Sequence, residues 1–547
     1  MPLCAQLHAR RIHSFGLAKL NLETLEDRLP LGNLLTGGFL VEAVLDLITN
    51  VGDSSSTVLD DTLGFDQRAT RRAVSVFVQS SQESVRHSSL IVTALDSQEH
   101  SGNKTGPAVR EVFGASSESS NGSLSIQNPL SGATLDSFRG RKGPNQSFTI
   151  GPNVRANSRD VCPDGRGFNQ NEIGLAASAA AIVIAYKDSR GLHCPNQAPG
   201  YQRVGWAFSL DGGKTFTDGG PLPGRTQWLS DPNVAVSPDG KTFYLIGLYN
   251  GLNSVAVTRG AVTEKTIAWS NPTVISQNGP FDKEAIAVDP HSGAVYVTYT
   301  RVGTGIYSAT STDEGVSFSI PVPVGSGGQG SAPIVGPNGE LYVAWTRGGE
   351  IVFAKSLDGG VTFSPVQGIA RTTGADISGT ERSPTFPSLA VDLSPDSPNF
   401  GNIYAAFQTS HLSGKPDVVL IRSTDGGASW SSPILMNDDG GIAPQWFPTI
   451  SVDASGNVNA FFYDRRQNPG TTLTDLFFAQ STDGGLSFNE NVKVSEVPSL
   501  WQVNSDGMTT TWGDYITSAS IGTDALIGYT DGRDGDSDAY FTRVSTG

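Results

Sequence analysis

"STDGGLSF", residues 481–488, is one of five near-copies of the same eight-residue stretch. The others are "SLDGGKTF" from Ser209, "STDEGVSF" from Ser311, "SLDGGVTF" from Ser356 and "STDGGASW" from Ser423. Their aspartates fall at 211, 313, 358, 425 and 483, with gaps of 102, 45, 67 and 58 residues. The first gap is about twice the others, which predicts a degenerate copy near residue 265. "TEKTIAWSNPTV" (263–274) fits, keeping Trp269 and Pro272 without the acidic turn.

Each copy has the same approach: a short alternating strand, a Gly-containing turn, and a second strand rich in Val, Tyr and Trp. "DKEAIAVDPHSGAVYVTYTR" (282–301) and "FPTISVDASGNVNAFFYDRR" (447–466) show it. A third strand leads into the acidic turn and a fourth leads out. Four short antiparallel strands per repeat of roughly 50 residues read as one propeller blade. First strands begin at 171, 231, 282, 331, 386, 447 and 513, so the sequence predicts an all-β propeller of seven blades. The last repeat stops without a fourth strand, which would leave an open sheet edge. "QSFTIGP" (146–152) is the expected closing strand.

The pattern Ser/Thr-x-Asp-x-Gly-x-Ser/Thr-aromatic resembles the Asp-box, or BNR repeat, of the sialidase-like propellers, and 146–547 is similar to that superfamily throughout. The repeated Asp is read as a turn device. A short carboxylate accepts hydrogen bonds from N–H groups of its own turn, and Gly at the fifth position supplies the positive φ. Phe216, Phe318, Phe363, Trp430 and Phe488 close the turns and are expected to pack between sheets. The five aspartates then mark a scaffold face, and chemistry belongs on the opposite mouth. That mouth is built from the starts of first strands and the ends of second strands.

Composition narrows the partner class. Net charge is −16, from 37 basic and 53 acidic residues, which argues against nucleic acid and anionic membrane. The three cysteines, Cys4, Cys162 and Cys194, form no zinc motif. Cys162 and Cys194 could pair in an oxidising compartment or remain thiols. No stretch is long and apolar enough to span a membrane. Residues 1–50 are read as an export or targeting segment, 51–145 as a Ser-rich flexible linker, and 146–547 as the propeller. A monomer, secreted or held at the cell surface, is expected.

The expected mouth collects Glu172, Asp231, Asp282, Glu284, Asp514 and Tyr515 from first strands, and Arg466 and Arg533 from the ends of second strands. Arg382 precedes the fifth blade. Arginine presents a planar fork to a carboxylate, so these residues suit an acidic sugar. The resemblance implies Tyr515 as nucleophile, activated by Glu284 or Glu172, and Asp282 or Asp231 as acid/base. It further implies Arg382, Arg466 and Arg533 as a carboxylate clamp, and a terminal acidic sugar of a glycan as substrate. The chain has no Arg-Ile-Pro tripeptide, and seven blades exceed the usual six of sialidases. A non-catalytic secreted propeller that binds glycan or protein is therefore the alternative. No cofactor is expected, although "DGDSD" (534–538) resembles the start of a calcium loop.

Overall fold

The computed structural model describes residues 146–546 apart from 160–168, 190–202, 225–226, 375, 381, 442 and 502–511. It also describes Gly143 and three strands nearer the N-terminus. Two compact units emerge, Met1–Leu124 and Ser125–Gly547. In the first, Ala18–Asn21, Val74–Gln79 and Ser89–Ala94 form an antiparallel sheet with Ser89–Ala94 in the middle. The expected targeting segment and linker otherwise lie outside the described residues, as do all three cysteines and their pairing.

The second unit is all-β and consists of seven antiparallel blades. Blades 1 to 6 occupy 170–218, 233–277, 281–326, 329–371, 388–435 and 445–500. Blade 7 runs over 517–546 and takes its outer strand from Phe148–Ile150. Ile150, Thr149 and Phe148 face Val544, Ser545 and Thr546, so the expected closing strand removes the open edge. Second strands such as Val295–Arg301 and Val458–Asp464 are buried almost throughout. Each blade is covered on both faces by its neighbours, which is why these strands read as continuous apolar runs rather than alternations. The degenerate copy lies in the hairpin between Ser254–Val262 and Ile267–Trp269, where Thr263 replaces the carboxylate as turn-former.

The repeated turn is self-contained. In residues 481–488, Asp483 Oδ1 accepts from Ser481 Oγ at 2.8 Å and from the Ser487 N–H at 2.9 Å. Its Oδ2 accepts from Ser487 Oγ at 2.5 Å. Gly485, at φ 77°, donates its N–H to Ser481 Oγ at 2.8 Å. A Cβ there would lie 2.6 Å from Leu420 Cδ2 of blade 5. Asp211, Asp313, Asp358 and Asp425 repeat these bonds. The closing aromatic reaches back to the preceding blade: Trp430 meets Phe353 at 5.4 Å, and Phe216 meets Phe541 at 5.2 Å. The turn is thus a staple between blades. Asp483→Ala should cost about 1–2 kcal/mol in chemical denaturation, the worth of a lost turn cap with its hydrogen bonds. An unchanged unfolding midpoint would show that the turn holds without its carboxylate.

Candidate functional site

The first strands enter the ring through a repeated backbone irregularity. Pairing register shifts between Asn171 and Gly174, Asp282 and Ala285, Gln329 and Ala332, and Trp446 and Thr449. In each bulge one residue is left-handed: Glu172 (φ 55°), Lys283 (φ 49°), Gly330 (φ 71°) and Phe447 (φ 49°). Asp231 (φ 54°) and Gly513 (φ 82°) stand just ahead of the first strands of blades 2 and 7. Glycine tolerates this conformation, whereas each non-glycine residue costs about 1–3 kcal/mol. Three charged residues carry that cost here. A bulge re-aims side chains, and these three meet one another.

Lys283 is the centre of the cluster. Its ammonium bonds Asp231 and lies 2.6 Å from Asp514 Oδ2, 3.4 Å from Glu172 Oε1 and 3.9 Å from Asp282 Oδ1. Carboxylate oxygens of Glu172, Asp231 and Asp514 lie within 4.8 Å of one another, a spacing that could hold a divalent cation. In this chain the cation among them is the lysine. Arg382 grips Asp514 with two parallel bonds, Nε to Oδ1 at 2.7 Å and Nη2 to Oδ2 at 2.6 Å. Glu172 also accepts from Ser230 Oγ at 2.9 Å and faces Lys187 Nζ at 3.8 Å.

The carboxyls differ in proton affinity for identifiable reasons. Burial opposes ionisation of Glu172, but the Lys187 and Lys283 ammoniums and the Ser230 hydroxyl hold it well below the usual range. Burial and the adjacent Glu172 carboxylate push Asp231 up to about 7, against the pull of Lys283. Burial likewise raises Asp282, although its side chain is one-third exposed (33%). Glu284 is 3% exposed and neither of its oxygens has a hydrogen-bond partner. Burial and the Asp231 charge keep it protonated well above the ordinary carboxyl range. Two neighbouring carboxyls with opposed shifts are the usual arrangement of an acid beside an ionised partner.

Asp231 and Ser230 also line a pocket of ≈ 280 Å³ between blades 1 and 2, with Lys187, Arg203, Leu229 and Leu252. The volume lies just below the ~300–1,000 Å³ usual for ligand sites.

Seven expected residues therefore meet: Glu172, Asp231, Asp282, Glu284, Asp514, Tyr515 and Arg382. Tyr515 is half-buried, and its hydroxyl donates to the Pro232 carbonyl at 3.0 Å rather than to a carboxylate. Burial and the Asp231 and Glu172 charges raise its pKa well above 10. The other two arginines do not join Arg382. Arg466 bonds Asp464 (2.7 Å) and Asn491 of its own blade and Asp438 of the connection from blade 5. Arg533 bonds Asp531 and Asn153 and lies over the Tyr540 ring. In both, an Asp two residues upstream satisfies the guanidinium locally, so the three arginines form no shared clamp. In "DGDSD", Asp534 pairs with Arg155 and Arg159, and Asp538 with Arg155. The sequence places Lys283 at a first-strand start of the mouth without indicating its role, and gives no sign of Lys187 or Ser230. The one available signal was the position of Lys283, between two acids at a first-strand start.

No family model and no curated protein matches the chain. Solved structures similar to it include a Dyadobacter fermentans protein of unknown function, at 17% identity and TM-score 0.42, covering 73% of this chain and 99% of that one. A Hadza microbial sialidase aligns at 14% identity and TM-score 0.37, over 58% of this chain and 65% of that one. An α-L-arabinanase of Penicillium chrysogenum aligns at 12% identity and TM-score 0.40, over 73% and 98%. Any chemistry must therefore be argued from the side chains of the mouth.

Proposed function

We propose that this chain is a glycan-active hydrolase that removes a terminal acidic sugar, with Asp231 as proton donor. One observation carries the reading: a sugar-sized pocket joins two cations to a carboxyl that burial and Glu172 keep protonated near neutrality. Lys187 and Arg203 would meet the carboxylate of the sugar. Asp231 would protonate the glycosidic oxygen as the bond breaks. Asp282, the solvent-open carboxyl of the cluster, would take the proton of the attacking water. Tyr515 would serve as a wall of the mouth, since its hydroxyl is spent on Pro232. The setting would be extracellular.

The test is a panel of fluorogenic glycosides containing sialosides, uronosides and neutral sugars. Release from the acidic members alone is expected. The binding-module reading is favoured by a different observation, the internal neutralisation of Arg382, Arg466 and Arg533 by aspartates. Retention of the protein on an acidic-glycan array, with no release from any glycoside, would establish that reading instead.

A further inference from the structure

Arg465 stands apart from the other arginines. It is the only arginine among the described residues to be buried, at 2% exposure. It makes no ion pair there, whereas Arg155, Arg382, Arg466, Arg533 and Arg543 all have carboxylate partners. Its Nε donates to Thr474 Oγ1 at 3.0 Å, and its Nη2 donates to nothing. The neighbouring carboxylates are committed elsewhere. Asp464 is taken by Arg466, and Asp475, its cross-strand partner, by Lys493 at 2.8 Å and Ser495 at 2.9 Å.

The surroundings add further unused donors. The guanidinium lies 4.9 Å over the Trp446 ring, which meets Trp501 edge-on at 5.2 Å. Both indole N–H groups are buried and unpartnered, although each ring is fully enclosed. Other polar atoms of the same aromatic cluster are satisfied: Trp512 donates to the Gly379 carbonyl at 3.2 Å, and Tyr463 to the Thr530 carbonyl at 2.7 Å. A buried cation without a counter-ion, in a cluster with unpartnered indole N–H groups, is an arrangement that proteins avoid unless an anion completes it.

We propose that Arg465, with the indole N–H groups of Trp446 and Trp501, holds a small monoanion inside blade 6. Full burial restricts the occupant to the size of chloride or formate and excludes a sugar. The stacked indole supplies the cation–π contact that fixes the guanidinium plane, leaving Nη2 for the ion. The site is independent of the proposed hydrolysis, and blocking one need not block the other.

The probes are bromide and formate, titrated at constant ionic strength against the full chain. Bromide should quench a fraction of the tryptophan fluorescence saturably, and formate should compete that fraction away. If formate binds and bromide does not, the site is a carboxylate site; the reverse marks a halide site. Arg465→Met should lose the saturable fraction, and Arg465→Lys should weaken it by tenfold or more. Quenching linear in bromide in the wild type, unaffected by formate, would overturn the proposal. Should the variants not fold, bromide-soaked crystals of the wild type decide: an anomalous peak beside Arg465 Nη2 supports the site, and its absence removes it.

Discussion

Asp231→Asn is expected to lower kcat/KM on an acidic aryl glycoside by about 10²–10⁴-fold, the usual contribution of a positioned general acid. The substitution keeps the shape of the side chain and its place beside Lys283 while removing the transferable proton. The wild-type profile carries the same signature. Asp231 is pushed up to about 7 by burial and Glu172, so the competent, protonated form is lost as pH rises through that value. Activity should therefore fall on the alkaline side with an apparent pKa near 7, as a property of the coupled pair. In Asp231→Asn the residual activity should lose that limb. A variant with wild-type turnover and an unchanged profile would remove Asp231 from the mechanism.

Lys283→Met is expected to destabilise the fold by about 3–5 kcal/mol near neutral pH, the range for breaking a buried charge cluster by removing one partner. Lys283 is the ammonium that contacts Glu172, Asp231 and Asp514 together. Without it the folded pKa values of Glu172 and Asp231 rise, so the folded state binds more protons than the unfolded state. Stability then falls as pH rises, and the deficit relative to wild type should be larger at about pH 8 than at about pH 5. In the wild type, Glu172 works in the opposite sense: its depressed pKa contributes stability above its unfolded value of 4.5, lost only in acid. Asp231 offsets part of this between 3.8 and about 7. Urea unfolding of both proteins at the two pH values measures the difference. Equal deficits would mean that the lysine is not the counter-ion of these acids.

The fold was readable because its information is local. All the bonds of the 481–488 turn lie within eight residues, and the five copies count out the blades however far their strands drift. The closing strand followed from the same count, since a missing fourth strand must come from elsewhere. The acids of the mouth were readable because they cluster at the starts of first strands. The role of Lys283 was not, because its place beside two acids does not say which way its side chain turns. Only the left-handed backbone of the bulge turns it inward, and periodicity carries no sign of that. Arg466 and Arg533 failed as clamp residues for a reason visible in "YDRR" and "YTDGR", an Asp two residues upstream. Arg465, adjacent to one of them, has no such partner, and its guanidinium lies over Trp446, whose ring in turn meets Trp501 from beyond the last strand of the blade.

If the two faces of the ring divide scaffold from chemistry, one paired measurement on two variants separates them. Asp483→Ala and Asp231→Asn are each assayed for kcat on an acidic glycoside and for the urea midpoint. Asp483→Ala should keep wild-type kcat with a lowered midpoint. Asp231→Asn should lose kcat and still unfold cooperatively. Loss of kcat in Asp483→Ala, with Asp231→Asn fully active, would contradict that division.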